Sequence, residues 1–208
     1  MISRLKAFKQ VSLQILPRFI KFSKTFSTIS VRVELKDITG HLVSVASPHT
    51  KLISDIDESI MSIITREDDA AEQLRSIITR DPDCTLAHAL YIFEICNSII
   101  DKDAIFDLKL CFDALSRLLL SDSVSFRERS FAKAAILITT GDYRKAAQIL
   151  ESILLQIPSD ALALKLAQDC YIAAGDSINA LKCVARNLFY FEESHILHGH
   201  ILGLLSCG

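Results

Sequence analysis

From Pro48 onward, apolar residues return every three or four positions and are broken by short runs of Gly, Pro and Asp. That spacing predicts amphipathic helices joined by tight turns rather than strands. Over 67–79, Ala70, Ala71, Leu74, Ile77 and Ile78 share one face, with acids early and Arg80 late, as a helix dipole favours. Asp81-Pro82-Asp83 stops that helix, and further helices are predicted over 85–100 and 102–120. Ser125-Phe126-Arg127-Glu128 has the spacing of a capping box and opens the next one. Gly141-Asp142, Pro158-Ser159-Asp160 and Gly175-Asp176 mark the later turns.

These turns repeat. Gly141-Asp142 returns as Gly175-Asp176 thirty-four positions on, and Ala146 returns as Ala180 at the same offset. Leu137 pairs in this way with Tyr171, and Leu150 with Val184. Pro158 falls where one unit hands over to the next, so one repeat spans 127–160 and another starts at Ala161. Set on Pro82, the same template places Ala70, Leu74 and Ile77 in an earlier, less regular copy. The pattern resembles the tetratricopeptide repeat, and the resemblance implies antiparallel helix pairs that stack to share apolar faces. Ala146 and Ala180 would allow close helix approach, while Gly141 and Gly175 would take the left-handed conformation that ends a helix. The expected fold is therefore all-α, a TPR-like α-α superhelix of stacked pairs, with a poorly ordered N-terminal segment.

Charge divides the chain at residue 33. Residues 1–33 hold Arg4, Lys6, Lys9, Arg18, Lys21, Lys24 and Arg32 and no acid, whereas the remainder is acidic, about nine charges to the negative side. With Ile2, Leu5, Phe8, Ile15, Phe19, Phe22 and Phe26 interleaved, this basic segment reads as a mitochondrial presequence, giving domains 1–33 and 34–208. The implied location is the mitochondrial matrix, or the cytoplasm if 1–33 is a plain tail. The acidic body argues against nucleic-acid binding. No apolar run is long enough to span a membrane; the best, 195–208, is short and carries three His. The six Cys lie among aliphatic residues without CxxC spacing and read as reduced core residues, not disulfides or metal ligands.

Little in the chain promises chemistry: no Gly-rich phosphate loop, HExxH or GxSxG is present. His88, on an apolar helix with Glu94 two turns on, is read chiefly as a hydrogen-bonded core histidine and otherwise as a groove or ligand contact. Asp169 and Tyr171 are the other candidates for such contacts, since a mid-helix Asp needs a partner. His195 and His198, three apart, are assigned to one helical face and are the best candidates for a metal. Arg127, Glu128 and Arg129 read as a helix start with solvated charges.

A closer resemblance rests on LRSIITRDPDCTLAHALYIFEICNSI and RERSFAKAAILITTGDYRKAAQILESILLQIPSDALALKLAQDCYIAAG. These are similar to the tetratricopeptide repeat protein 38 family over about 34–205, most specifically over 127–175. Gln168 stands where that family often has His. Members continue well past the equivalent of Gly208, so the resemblance implies an N-terminal portion whose last helix pair lies open. The expected function is a non-enzymatic interaction or scaffold module, with no cofactor, that takes a protein or peptide partner and can self-associate through that open pair. The alternative is part of an enzyme or metal-binding helical protein using His88, Asp169 or His195 and His198.

Overall fold

A computed structural model describes residues 33–45, 50–67, 69–97, 102–122, 124–193 and 195–206. Residues 1–32 of the proposed presequence and Cys207 lie outside the described residues.

The architecture is helical. In chain order the helices are α1 (Thr50–Thr65), α2 (Ala70–Arg80), α3 (Thr85–Asn97), α4 (Lys102–Leu118), α5 (Phe126–Thr139), α6 (Tyr143–Gln156), α7 (Ala161–Ala173), α8 (Ser177–Asn187) and α9 (His198–Leu205). Each packs on its neighbour from α1 to α4 and again from α5 to α8, and α3 against α5 joins the two halves. The array then bends back on itself, because α1 also touches α7. Helices α3 and α7 are buried on nearly every side, whereas α2, α6 and α8 bury one stripe. This division explains the sequence pattern: a helix contacted from several directions cannot keep a polar face, and one on the outside must.

The thirty-four-residue repeat is visible in backbone hydrogen bonds. At the end of α5, Gly141 N–H donates to Ile138 O and Asp142 N–H to Leu137 O, both at 3.0 Å. At the end of α7, Gly175 N–H donates to Ile172 O at 3.0 Å and Asp176 N–H to Tyr171 O at 2.8 Å. Both glycines have positive φ, +79° and +71°. This is the Schellman closure, and the aspartate that completes it also caps the next helix through its own carboxylate. Ala146 and Ala180 are fully buried on α6 and α8, as are Leu150 and Val184. In the earlier copy Ala70 and Leu74 are buried likewise. Pro82 and Pro158 occupy equivalent turns, where Asp81 N–H bonds Ile77 O and Ile157 N–H bonds Ile153 O, each at 2.8 Å.

One element falls outside the helical expectation. Val33–Lys36 (β1) and Leu42–Val45 (β2) form an antiparallel hairpin with Val33 opposite Val45 and Lys36 opposite Leu42. Its turn is held by the Asp37 carboxylate, whose Oδ1 accepts from Thr39 N, Thr39 Oγ1 and His41 N, and by Gly40 at φ +81°. The other Asp37 oxygen faces Arg127 at the start of α5, 2.8 Å away, and Arg127 Nε reaches Asp160 at 2.6 Å. The Arg127 side chain is 4% exposed and both carboxylates are fully buried. Burial works against the guanidinium charge, but Asp160 and Asp37 more than offset it, and the Arg127 pKa lies above its ordinary value. The guanidinium also stacks over Phe131, 5.1 Å from the ring centroid.

The reading of Arg127, Glu128 and Arg129 as solvated charges is therefore corrected. Arg127 and Glu128 are buried, Glu128 within the capping box with Ser125, and Arg129 donates to Leu119 O and Ser121 O beyond the end of α4. The partners lie up to ninety positions away, where a local pattern carries no information about them.

Candidate functional site

The bend that brings α1 to α7 leaves a cleft of about 640 Å³. It is lined by the end of α1 and the residues just after it (Ser62, Ile63, Arg66, Glu67), by Glu94 and Asn97 of α3, and by Lys165 and Asp169 of α7. Ala71, Ile172 and Ala173 add apolar wall. Asp169 has the partner that a carboxylate inside a helix requires. It lines the cleft and pairs across it, with Arg66 Nη2 at 3.1 Å and with Lys165 one turn earlier on its own helix. Lys165 is buried, so its ammonium depends on Asp169 for a counter-charge.

Arg66 holds an unusual backbone position. The end of α1 closes as the glycine turns do, with Glu67 N–H donating to Ser62 O at 2.9 Å, but the left-handed residue is Arg66, at φ +63°. It is the one non-glycine residue with positive φ among the described residues. A side chain there costs roughly 1–2 kcal/mol relative to a right-handed backbone. Strain of this kind at the mouth of a cleft points toward a use for the side chain.

Glu94 projects from α3 into the same cleft. It is half-buried, and burial raises its pKa, only partly countered by Lys165. No hydrogen bond or ion pair ties its carboxylate to another described residue, since Lys165 and Arg66 are both engaged with Asp169.

The remaining candidates lie elsewhere. His88 does not line the cleft. It is buried in the core, its Nε2 2.8 Å from Pro82 O and its Nδ1 3.4 Å from Cys111 Sγ. Burial lowers its pKa, so the ring is neutral near pH 7, with Nε2–H donating to the carbonyl. This is the core histidine of the sequence reading, not the groove contact. Tyr171 is also buried, and its hydroxyl donates to Glu151 of α6 at 2.8 Å. His195 and His198 do not share a helix as expected: His195 sits in the turn before α9, which His198 begins. His198 Nδ1 lies 2.8 Å from Phe191 O, and His195 accepts from Leu197 N–H and packs edge-on against Phe191. Among the described residues no three His, Cys, Asp or Glu side chains converge as a metal site would require. The described cysteines are free, and burial pushes the Cys111 and Cys183 thiols up to about 12.

Sequence reasoning missed Arg66, Glu94 and Lys165 as a group. They sit on two helices and in the turn after a third, and a lone charge carries no sign of what it faces.

The last pair is less open than expected, because α9 packs on α7 and α8 with Ile201 and Leu204 buried. Several apolar side chains around it still face outward: Ile178 and Leu181 on α8, Phe189 and Tyr190 in the single 3-10 turn that follows, then Ile196 and Leu202. Phe189 is 89% exposed and Ile196 76%. No described helix is long and apolar enough to cross a membrane.

The chain matches no protein-family model and no solved structure.

Proposed function

We infer that this protein is an interaction module: a stack of TPR-like helix pairs that holds a protein or peptide partner in the cleft between α1, α3 and α7. The observation that carries this reading is the strained Arg66 at the cleft mouth, where glycine would serve the turn better. The resemblance of 127–175 to the tetratricopeptide repeat protein 38 family supports it, as does the mixture of charged and apolar walls, which suits a polypeptide segment more than a compact metabolite. The test is Arg66→Gly, which relieves the backbone and leaves the helices intact. Cross-linking of the purified chain to cell extract should yield partners that the variant recovers poorly while its melting temperature holds or rises. An unchanged partner set would remove the cleft as the docking place.

A second reading, self-association, is favoured by the exposed Phe189 and Ile196 on the final pair. Outward apolar side chains gathered at one end of a repeat array suit contact with another such surface. Light scattering over a concentration series should show a dimer that Phe189→Ser with Ile196→Ser abolishes; a monomer at all concentrations refutes it. Import into mitochondria is the location we propose, on the strength of the basic, acid-free 1–33. A fluorescent fusion of that segment that stays diffuse in the cytosol overturns it.

A further inference from the structure

We propose that the α1–α3–α7 cleft recognises a lysine- or arginine-bearing segment of its partner, with the Glu94 carboxylate receiving the cation. This deepens the module reading and rests on it. The argument is one of charge placed in space. Among the described residues five ionisable ones line the cleft: Arg66 and Lys165 against Glu67, Glu94 and Asp169. Both cations pair with Asp169, the arginine across the cleft and the lysine along α7. Glu67 stands at the exposed rim, where Thr65 Oγ1 donates to it at 2.9 Å. That leaves Glu94 as the inward carboxylate with no hydrogen bond or ion pair to a described residue, its burial only partly countered by the charge of Lys165.

A half-buried carboxylate without a donor is an unfavourable arrangement for the empty protein, because burial costs it more than the nearby Lys165 charge returns. A ligand cation restores the balance: one positive charge offsets the excess of one acid among the described lining residues. The walls set the form of the cation. Ile63, Ala71 and Ile172 add apolar surface to the same cleft. A bare metal ion would gain nothing from them, and would want several oxygen ligands converging at once. An ammonium or guanidinium on an aliphatic stem uses both features, its methylenes on the apolar wall and its head on Glu94. Asn97, on the same helix, adds a polar amide to the lining.

The probe is a blocked peptide of alternating alanine and lysine, compared by titration calorimetry with the same peptide carrying glutamine for each lysine. The wild-type chain should bind the lysine peptide and bind the glutamine peptide at least about tenfold more weakly. Glu94→Gln keeps the shape and removes the charge, and should lose the lysine peptide by a similar factor with its helical circular dichroism unchanged. Absence of binding by the wild-type chain overturns the proposal, as does equal binding by Glu94→Gln or of the glutamine peptide. The module reading fails separately, through an unaltered partner set in Arg66→Gly. If Glu94→Gln proves misfolded, Glu94→Asp supplies the test: the charge remains on a shorter arm, and affinity midway between zero and wild type supports the assignment while wild-type affinity overturns it.

Discussion

Replacing Arg127 with methionine should cost this fold more than most single changes. The change keeps an apolar stem at position 127 but withdraws the only cation among the described residues that pairs with two fully buried carboxylates, Asp37 and Asp160. Each carboxylate keeps some backbone support, Asp37 from Thr39 and His41 and Asp160 from Ala163 N–H at 3.0 Å, so neither is left bare. Breaking a buried pair by removing one partner typically costs about 3–5 kcal/mol. For a chain of this length that corresponds to a fall in melting temperature of roughly 6–20 °C. Asp37→Asn is milder, about 1–3 kcal/mol, because Asp160 still neutralises Arg127 and an amide oxygen can still accept. Its effect should also be local: the hairpin amides of Thr39 and His41 exchange faster while those of α6 and α7 do not. Urea denaturation followed by circular dichroism measures the first effect, and native-state hydrogen exchange the second. A double-mutant cycle between positions 37 and 127 should return a coupling of at least about 1 kcal/mol. If Arg127→Met unfolds at the wild-type urea concentration, the network does not hold the hairpin to the helices and the reasoning is wrong.

Three further outcomes follow from other parts of the molecule. His88 has a lowered pKa in the fold, so the unfolded chain takes up its proton first. The stability it contributes is complete above about pH 6.5 and is lost as pH falls below that value, so the advantage of wild type over His88→Gln in urea should shrink between about pH 7.5 and 5. An advantage constant across that range would mean the ring is not held neutral. Gly175→Ala meets no neighbouring atom, so its cost is the left-handed backbone alone, roughly 1–2 kcal/mol, and a stability equal to wild type would contradict the turn assignment. Ala180→Leu forces a branched side chain into a fully buried contact on α8 and should destabilise by about 1–3 kcal/mol; a neutral result would show slack in the repeat interface.

The repeat was legible in the sequence because it is written locally. A glycine followed by aspartate, and an alanine five positions after the glycine, are each consequences of one turn and one close contact, and both recur at a fixed interval. Asp169 was legible for a similar reason: a carboxylate inside a helix asks for a partner whatever the fold. What escaped was anything whose partner is distant in the chain. Arg127 looked like an ordinary first-turn charge, since Asp37 and Asp160 could be assigned to it only once the array had bent. The hairpin did leave a trace, Asp37-Ile38-Thr39-Gly40 between alternating apolar residues, which is a loop signal of the kind that joins two strands. The helical pattern that follows drew attention away from it. His195 and His198 show the opposite failure: spacing suggested a shared face, but spacing has meaning only inside one helix, and the chain turns between them.

The twin closures after α5 and α7 carry a consequence for how such a chain can change length. In each, one aspartate finishes the outgoing helix and begins the incoming one, so no residue in the joint is spare. Adding or deleting a single position there would separate the closure from the cap, and a shift taken up by the following helix would rotate its residues by about 100° about its axis and turn its greasy stripe toward water. Among the described residues between α4 and α5 none both closes one helix and caps the next, so a change in length there disturbs mainly the Arg129 contacts to Leu119 O and Ser121 O. Tolerance to insertion should therefore alternate along the molecule, greater at that joint than at the two glycine corners.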